Sequence, residues 1–336
     1  MSLPIRIAHI GAGPFSRANH SPALKRLSSS DEPVVSMEAI CDLDRGKAEA
    51  FQHDFGYKAI YTDLHEMIAE VQPEALYVTV HPAKSAGVLA QVLPYGIPTF
   101  TEKPPGVTVE ESEKLAALAD EHGTLTYVGF NRRQVPGLCR LKQWMGENAP
   151  IRYLRAEMIR NNRTEPEFAV GTGIHALDCL RFLCGNVVTL EAHSRWYGET
   201  RVRDLLVRIQ FDTGILADLA ILVCAGVSRE LYLAQGEDRM MESTVGHGYT
   251  SPQLFRGERV YANNAIVAEL PVEEDALVAG GILGEHLAFL DAVRTGVLPG
   301  CCLQDARHSL RLAVAVSEDY CGPIDQFVAS GVSQYT

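Results

Sequence analysis

The first 130 residues alternate short apolar runs with helical patterns, and this alternation restricts the possible folds more than any other feature. The candidate strands read IRIAHI, VVSMEAIC, KAIY, ALYVTV, PTFTE and TLTYVGF. Between the last two, ESEKLAALADEHG places Leu115, Leu118 and Ala119 on one helical face and stops at Gly123. Strands that alternate with helices are typical of a parallel sheet with helices on both faces. We therefore predict an α/β domain with a doubly wound parallel sheet over residues 1–130.

The pattern changes after Trp144, where longer strand-like runs are separated by Gly and Asp turns. RVRDLLVRIQF and GILADLAILV are examples, and two helical patterns, GEHLAFLDAVRTG and LQDARHSLRLAVAVSEDY, follow near the end. Long strands joined by short turns favour antiparallel pairing. With 336 residues, the chain is long enough for two domains. We expect residues 131–336 to form an α+β domain with a mostly antiparallel, open sheet.

Composition excludes several classes of function. The eight cysteines contain no C-x-x-C pair and the eleven histidines no H-E-x-x-H, so no metal site is predicted. A net charge of −12 opposes binding to the phosphate backbone of nucleic acids. No run approaches the ~18 uncharged apolar residues of a membrane helix, and MSLPIRIAHIG lacks the features of a secretory signal. We expect a cytoplasmic protein that binds neither nucleic acid nor membrane.

The stretch IAHIGAGPFSRANH predicts a dinucleotide site directly after the first strand. Gly11 would make the tight turn, and Gly13 would let the backbone approach a pyrophosphate at the start of a helix. Ser16 replaces the third glycine of G-x-G-x-x-G and is still small enough for a helix packed on a strand. Pro14 and Phe15, inside the turn, are expected at the cofactor as well. This pattern, at the first strand of an alternating chain, favours a Rossmann domain over a plain structural turn.

Asp42 closes the second strand, where a carboxylate would accept hydrogen bonds from the adenosine ribose and repel a 2′-phosphate. This position favours NAD over NADP. Two observations keep NADP possible: Arg45 lies close enough in sequence to neutralise such a phosphate, and Asp42 could instead cap the helix that begins at Asp44.

Residues 97–133, IPTFTEKPPGVTVEESEKLAALADEHGTLTYVGFNRR, carry E-K-P followed by G-F-N-R-R. With the glycine turn and His20 beyond it, GIHALDCLRFLCG and the late GEHLAFLDAVRTG, nearly the whole chain resembles the Gfo/Idh/MocA family of NAD(P)-dependent oxidoreductases. The resemblance implies a Rossmann domain and a substrate-binding domain whose open sheet covers the active site and often forms the oligomer interface. It implies a homodimer or homotetramer that acts on sugars, inositols and related alcohols or ketones.

In the same family, the lysine of E-K-P sits beside the nicotinamide and contacts the reacting oxygen, which implies this role for Lys103. Glu102 precedes it and is expected at the cofactor too. Ligands of open α/β sheets gather at the carboxyl ends of the strands, and E-K-P follows the fifth strand. The alternative is a solvated surface lysine.

His175 lies in VGTGIHALD, among small and apolar residues, where a packed core histidine is the ordinary interpretation. The family has a histidine here within D-x-x-x-H-x-x-D, and the resemblance implies an acid/base on the substrate hydroxyl. If Thr172 is the N-cap of the following helix, His175 falls in its first turn, where the helix dipole disfavours imidazolium. A neutral imidazole is the form that a general base needs.

Gly171 replaces the first aspartate of that family motif, so the usual acidic partner of His175 is absent. Asp178, one turn later, could orient the ring or simply favour the positive helix end. Other candidates for substrate contact, for which surface polar roles are at least as plausible, are Arg132, Asn161 or Asn162, and Thr172.

Together these features predict hydride transfer between the nicotinamide and a secondary alcohol or ketone of a sugar, inositol or related polyol. Gly171 motivates an alternative on the same fold, a non-catalytic NAD(P)-binding sensor or regulator.

Overall fold

The protein is described from a computed structural model that covers residues 3–198, 202–246, 249–251, 254–271 and 273–331. The chain divides into two compact units. The first comprises Met1–Gly129 and Glu285–Arg307, and the second comprises Phe130–Gly284 and His308–Thr336. The chain passes from the first unit to the second between Gly129 and Phe130, and the segment 285–307 returns to the first unit.

The elements are as follows. The strands are β1 (Ile5–Ile10), β2 (Val35–Cys41), β3 (Ala59–Tyr61), β4 (Ala75–Val78), β5 (Thr99–Thr101), β6 (Thr126–Val128), β7 (Tyr153–Ile159), β8 (Val187–Trp196), β9 (Arg203–Phe211), β10 (Leu216–Leu222), β11 (Arg229–Gln235), β12 (Arg239–Thr244), β13 (Glu258–Ala262), β14 (Ala265–Leu270) and β15 (Cys321–Pro323). The α-helices are α1 (Ser21–Ser28), α2 (Arg45–Phe55), α3 (Leu64–Val71), α4 (Pro82–Val92), α5 (Val109–Glu121), α6 (Pro136–Glu147), α7 (Ile174–Cys184), α8 (Ala276–Ala279), α9 (Ile282–Thr295) and α10 (Leu303–Ser317).

The first unit contains a six-stranded sheet in the order β3-β2-β1-β4-β5-β6, and every neighbouring pair is parallel. The doubly wound Rossmann sheet predicted from the sequence is confirmed. The strand order reverses between β1 and β4, and in open α/β sheets ligands bind in the crevice at this switch point, beyond the carboxyl ends of the strands. The glycine turn follows β1 directly.

Local signals fix the helices around this sheet. The Asp44, Asp63 and Thr108 side chains accept hydrogen bonds from the first-turn amides of α2, α3 and α5, which satisfies donors that a helix start leaves free. The helix α5 spans the predicted segment, and Gly123 follows it with a φ of +60°. A glycine at that position ends a helix without a steric cost.

The returning segment pairs with the edge strand of the first sheet. The β6 residue Val128 donates its amide proton to the carbonyl of Cys301 (2.8 Å), and the amide of Leu303 donates to the hydroxyl of Thr126 (3.1 Å). Because a free strand edge presents unpaired backbone groups, these bonds explain why residues 285–307 belong to the first unit.

The second unit contains a nine-stranded sheet in the order β14-β13-β12-β11-β7-β10-β9-β8-β15. Only β7 and β10 pair in parallel, so the expected mostly antiparallel sheet is confirmed. From Leu205 onward β9 alternates buried and exposed residues, which is the pattern of a sheet covered on one face. The helices α6 and α7 pack against strands of this sheet. Within the described residues, no helix combines the length and apolarity needed to cross a membrane.

Candidate active site

The glycine turn is shaped so that only glycine fits at its first position. Gly11 has a φ of +106°, and a Cβ atom there would lie 2.7 Å from the carbonyl oxygen of Thr79, which follows β4. A Cβ atom on Gly13 would meet only that same oxygen, at 4.0 Å. The first glycine thus packs the turn against β4, and the second leaves the open approach that a pyrophosphate requires.

A helical segment starts directly after this turn. Pro14 and Phe15 are exposed, and the next residues form a π-helical turn, Ser16–His20, that leads into α1. Ser16, the residue in place of the third glycine, is buried. The amide donors of a helix start attract phosphate charge, so the turn and this segment suit a dinucleotide.

Asp42 holds the turn from the side of β2. Its carboxylate accepts hydrogen bonds from the amides of Ala12 (2.8 Å) and Asp44 (2.9 Å). The possibility that Asp42 caps α2 is wrong, because Asp44 is the N-cap and accepts from the amide of Lys47. Each carboxylate oxygen keeps a lone pair that can accept from a ribose hydroxyl. The exposed side chain of Arg45 forms an ion pair along α2, with Glu49 at 3.0 Å.

A buried polar network lies beneath the glycine turn, and the sequence analysis missed it. His9 of β1 places Nδ1 2.6 Å from the Tyr57 hydroxyl and Nε2 2.7 Å from the Thr79 hydroxyl, which donates to the carbonyl of Gly11 (3.1 Å). Ser16 lies 3.3 Å from His9 Nε2. Burial, and then the nearby His20, lower the pKa of His9 to about 3, so the ring is neutral. A histidine inside the apolar run IRIAHI was the available signal.

Glu102 and Lys103 follow β5 at the same edge of the sheet, and both are half-buried. The Glu102 carboxylate lies 2.7 Å from Nε2 of the buried His20. Gly129 of G-F-N-R-R makes this possible, because a Cβ atom there would stand 2.9 Å from a Glu102 carboxylate oxygen. Gly129 therefore lies beside Glu102 and leaves the space in which Glu102 reaches His20.

His175 in the second unit lies near the start of α7, is only 6% exposed, and packs edge-on against the ring of Phe130. The expected N-cap at Thr172 is wrong. A π-helical turn, Ala169–Gly173, precedes α7, so the chain is already helical before Thr172, which accepts a hydrogen bond from Arg163 (3.1 Å). His175 is consequently not in the first helical turn, and the argument from the helix dipole does not apply to it.

The described hydrogen bonds of Asp178 connect it to Arg133 and Ser309. Its carboxylate is fully buried, receives two hydrogen bonds from the guanidinium of Arg133 (2.7 and 2.8 Å) and one from the hydroxyl of Ser309 (2.7 Å). Such a bidentate pair joins α7 to the segment after G-F-N. The candidate role of Asp178 in substrate contact therefore has no structural support.

The side chain of Arg132 is also engaged in bonds inside the second unit. It is 2% exposed, forms two hydrogen bonds with Glu230 (3.0 and 3.1 Å) and lies 3.8 Å from the ring centre of Tyr249. Burial by itself would raise the pKa of Glu230, but Arg132 and Arg160 lower it to about 2. The predicted substrate contact at Arg132 is replaced by this buried ion pair, whereas Asn161 and Asn162 are exposed beyond β7.

The fold and the turn define a class, a two-domain protein with a dinucleotide-binding Rossmann domain, and comparisons with known proteins agree. Residues 5–130 match the family model described as "Oxidoreductase family, NAD-binding Rossmann fold", and residues 159–319 match "Oxidoreductase family, C-terminal alpha/beta domain". The chain belongs to the Gfo/Idh/MocA oxidoreductase family, and its first domain binds NAD.

Relatives and solved structures point the same way. The chain is 30% identical over 191 residues to inositol 2-dehydrogenase of Agrobacterium fabrum, a match that spans 54% of either chain, about half of that relative. Inositol 2-dehydrogenase of Burkholderia ambifaria is 26% identical over 333 residues, which cover 95% of this chain and 93% of that protein. A myo-inositol dehydrogenase of Corynebacterium glutamicum shares the fold with a TM-score of 0.78 at 18% identity, and the match covers 95% of this chain and 97% of that one.

Proposed function

We propose that the protein is an NAD(P)-dependent dehydrogenase that transfers hydride between the nicotinamide and a secondary alcohol carbon of a sugar, inositol or related polyol. The observation that carries the proposal is the position of Lys103, directly after β5 at the carboxyl edge of an NAD-binding sheet. The relatives named inositol 2-dehydrogenase support the polyol class.

Each candidate residue has a defined task in this reaction. The bound coenzyme accepts or donates the hydride. Lys103 offers an ammonium group to the reacting oxygen and stabilises the charge that develops there. His175 takes the hydroxyl proton during oxidation and returns one during reduction.

Replacing Lys103 tests the proposal most directly. Lys103→Ala should lose most turnover on the best substrate of an inositol and sugar panel, measured as NADH formation, and retain NADH affinity within about tenfold. Lys114→Ala is the matched control, because Lys114 on α5 is exposed and pairs only with its helical neighbour Glu110 among the contacts described. If Lys103→Ala has near-normal turnover and an unchanged circular dichroism spectrum, Lys103 is a surface lysine without a catalytic role.

We further propose that NAD binds more tightly than NADP. The carboxylate of Asp42 stands at the turn, where it suits ribose hydroxyls and opposes a 2′-phosphate, and Arg45 pairs with Glu49. Titrations of NADH and NADPH by nicotinamide fluorescence should favour NADH, and Arg45→Ala should change neither affinity by more than about twofold. If the wild type binds NADPH more tightly than NADH and Arg45→Ala abolishes this difference, the coenzyme is NADP and Arg45 contacts its 2′-phosphate.

Gly171 favours a second candidate, a protein that binds NAD(P) and senses a polyol without turnover. Within the contacts described, the residue in the place of the family aspartate offers only its backbone, which donates to the carbonyl of Glu167 (2.7 Å). In a catalyst, Gly171→Asp should raise the pKa of His175 and move the ascending limb of the pH profile to higher pH. Saturable NADH binding with no turnover on the whole panel, in the wild type and in this variant, would support the sensor.

Cytoplasmic location and assembly into a homodimer or homotetramer also belong to the proposal. In the second sheet, alternate exposed residues of β9 leave one face available for a second copy. Light scattering coupled to size exclusion measures the oligomeric state directly.

A further inference from the structure

Three potential metal ligands meet inside the first unit, close to the helical segment that follows the glycine turn. His20 ends the π-helical turn before α1, and Glu285 and His286 lie in the first turns of α9. All three residues have 0% exposure. Nδ1 of His20 is 3.1 Å from Nε2 of His286 and 3.9 Å from a carboxylate oxygen of Glu285, and one ligand atom of each residue falls within 4.8 Å of the others.

We propose that His20, Glu285 and His286 bind a zinc ion at a buried site, with water as the fourth ligand. A tetrahedral zinc holds imidazole nitrogens and carboxylate oxygens at about 2.0–2.2 Å, which separates neighbouring ligand atoms by about 3.4 Å. The observed separations from His20, 3.1 and 3.9 Å, lie on either side of this value.

Glu102 does not bind the proposed ion, but it accepts a hydrogen bond from a histidine ligand, as carboxylates near metal-bound histidines usually do. The Glu102 carboxylate is 2.7 Å from Nε2 of His20, the ring nitrogen opposite the cluster. A histidine ligand almost always gives its second N–H to a carboxylate or carbonyl, which fixes the tautomer and makes the ligating nitrogen more basic. With the proton on Nε2, the lone pair of Nδ1 faces His286 and Glu285.

The charges around the cluster agree with this geometry. Two carboxylates, Glu102 and Glu285, stand at the buried imidazoles. A divalent cation bound here would balance the negative charge of the Glu285 carboxylate.

The proposed ion would join three parts of the first unit that are far apart in sequence. His20 follows the glycine turn, α9 opens the returning segment, and Glu102 precedes Lys103. No sequence motif signalled the site, because His20 and His286 are 266 positions apart. The ion would act in stability and positioning, and it requires no turnover, so it can be tested whether or not the proposed dehydrogenase activity is found.

Metal content of the full chain, purified without a polyhistidine tag, tests the site. Mass spectrometry of the acid-digested protein should find close to one zinc per chain, and dialysis against dipicolinate should remove it and lower the Tm. Added Zn²⁺ should restore the Tm, and Co²⁺ in its place should give the intense visible bands of a tetrahedral ion. The proposal would be overturned if the protein contained less than about a tenth of an equivalent of zinc and if Zn²⁺ added to dialysed protein left the Tm unchanged. The residues from Glu102 to His286 would then be a hydrogen-bonded chain without a metal.

Two variants locate the ion. Glu285→Gln and His286→Gln should each abolish stoichiometric zinc and the Co²⁺ bands. The matched control is His9→Gln, because His9 is equally buried in the same unit and bonds to Tyr57 and Thr79 instead of the cluster. This control should keep one zinc per chain. If a cluster variant fails to fold, the wild-type dialysis experiment still decides, and a zinc content that survives both variants would disprove the assignment.

Discussion

The glycine turn after β1 and the stretch before His175 each lead into a helix through a π-helical turn, Ser16–His20 in one and Ala169–Gly173 in the other. The two regions differ in the contacts that surround this turn. Around the first turn, backbone groups and Asp42 are arranged toward an open approach. Around the second, polar side chains such as Thr172 and Asp178 already bond to arginines. The first turn presents its backbone to a ligand, whereas the second is surrounded by side chains that bond to one another.

This difference explains why the two regions differ in how well a sequence reveals them. A backbone site needs glycine where a φ is positive or a Cβ would collide, and such positions leave a pattern. A side-chain site depends on which groups remain available after internal bonds form. Substitutions in the two regions should therefore have different consequences, which range from a large loss of turnover at His175 to a change at His9 that only acid pH reveals.

The largest effect is expected at His175. If it is the acid/base, His175→Asn should keep the fold and lower kcat by about 10²- to 10⁴-fold, as is typical when general acid/base catalysis is lost. Steady-state kinetics with NAD and the best polyol, beside thermal unfolding, provide the measurement. If the variant has a lower Tm but keeps its turnover per folded molecule, His175 is a core residue and not the acid/base.

Asp178, on the same helix, should behave in the opposite way. Asp178→Asn leaves the buried guanidinium of Arg133 without its carboxylate, a change that costs about 3–5 kcal/mol in the free energy of unfolding. Urea denaturation measures the loss. The pH profile of the remaining activity should match that of the wild type, and a shifted profile would restore Asp178 as a partner of His175.

The glycine turn can be tested with two neighbouring glycines. Gly11→Ala should destabilise the first unit by about 1–3 kcal/mol and weaken NADH binding, because the new methyl group collides with the Thr79 carbonyl at a positive φ. Gly13→Ala, whose Cβ has space, should leave the free energy of unfolding nearly unchanged and weaken only NADH binding. Equal stability losses in both variants would contradict the separate roles assigned to the two glycines.

The last effect concerns His9 beneath the turn and is confined to acid pH. Its pKa of about 3 in the folded chain lies below the unfolded value of 6.5, so the unfolded chain binds the extra proton between these pH values. This contribution to stability is complete above pH 6.5 and is lost as the pH falls toward 3, at up to about 1.4 kcal/mol per pH unit. His9→Gln should flatten the acid side of the stability curve.

The matched control for that experiment is His53→Gln, since the His53 side chain is 88% exposed on α2. Guanidinium titrations at a series of pH values give the slopes for the three proteins. If His9→Gln leaves the slope of the unfolding free energy against pH unchanged, the predicted contribution of His9 to acid stability is wrong.

The first unit was predictable from the sequence because its signals are local. Apolar runs placed all six strands, and Gly11, Gly13 and Asp42 marked the turn. The second unit was predictable in class but not in detail. The side chains of Arg132 and Asp178 look like site residues in sequence, but their partners, Glu230 and Arg133, come from distant positions that no local pattern reveals. The cluster of His20, Glu285 and His286 was missed for the same reason.

The return of residues 285–307 to the first unit has a consequence for the order in which the newborn chain matures. The edge strand β6 has left the ribosome long before Cys301 and Leu303, which bond to it, are synthesised. At about 5–20 residues per second, that interval lasts on the order of ten seconds or more. During it the coenzyme domain exposes an unpaired strand edge, the kind of surface that chaperones cover and that promotes aggregation. An excised fragment 1–130 would carry the same open edge permanently.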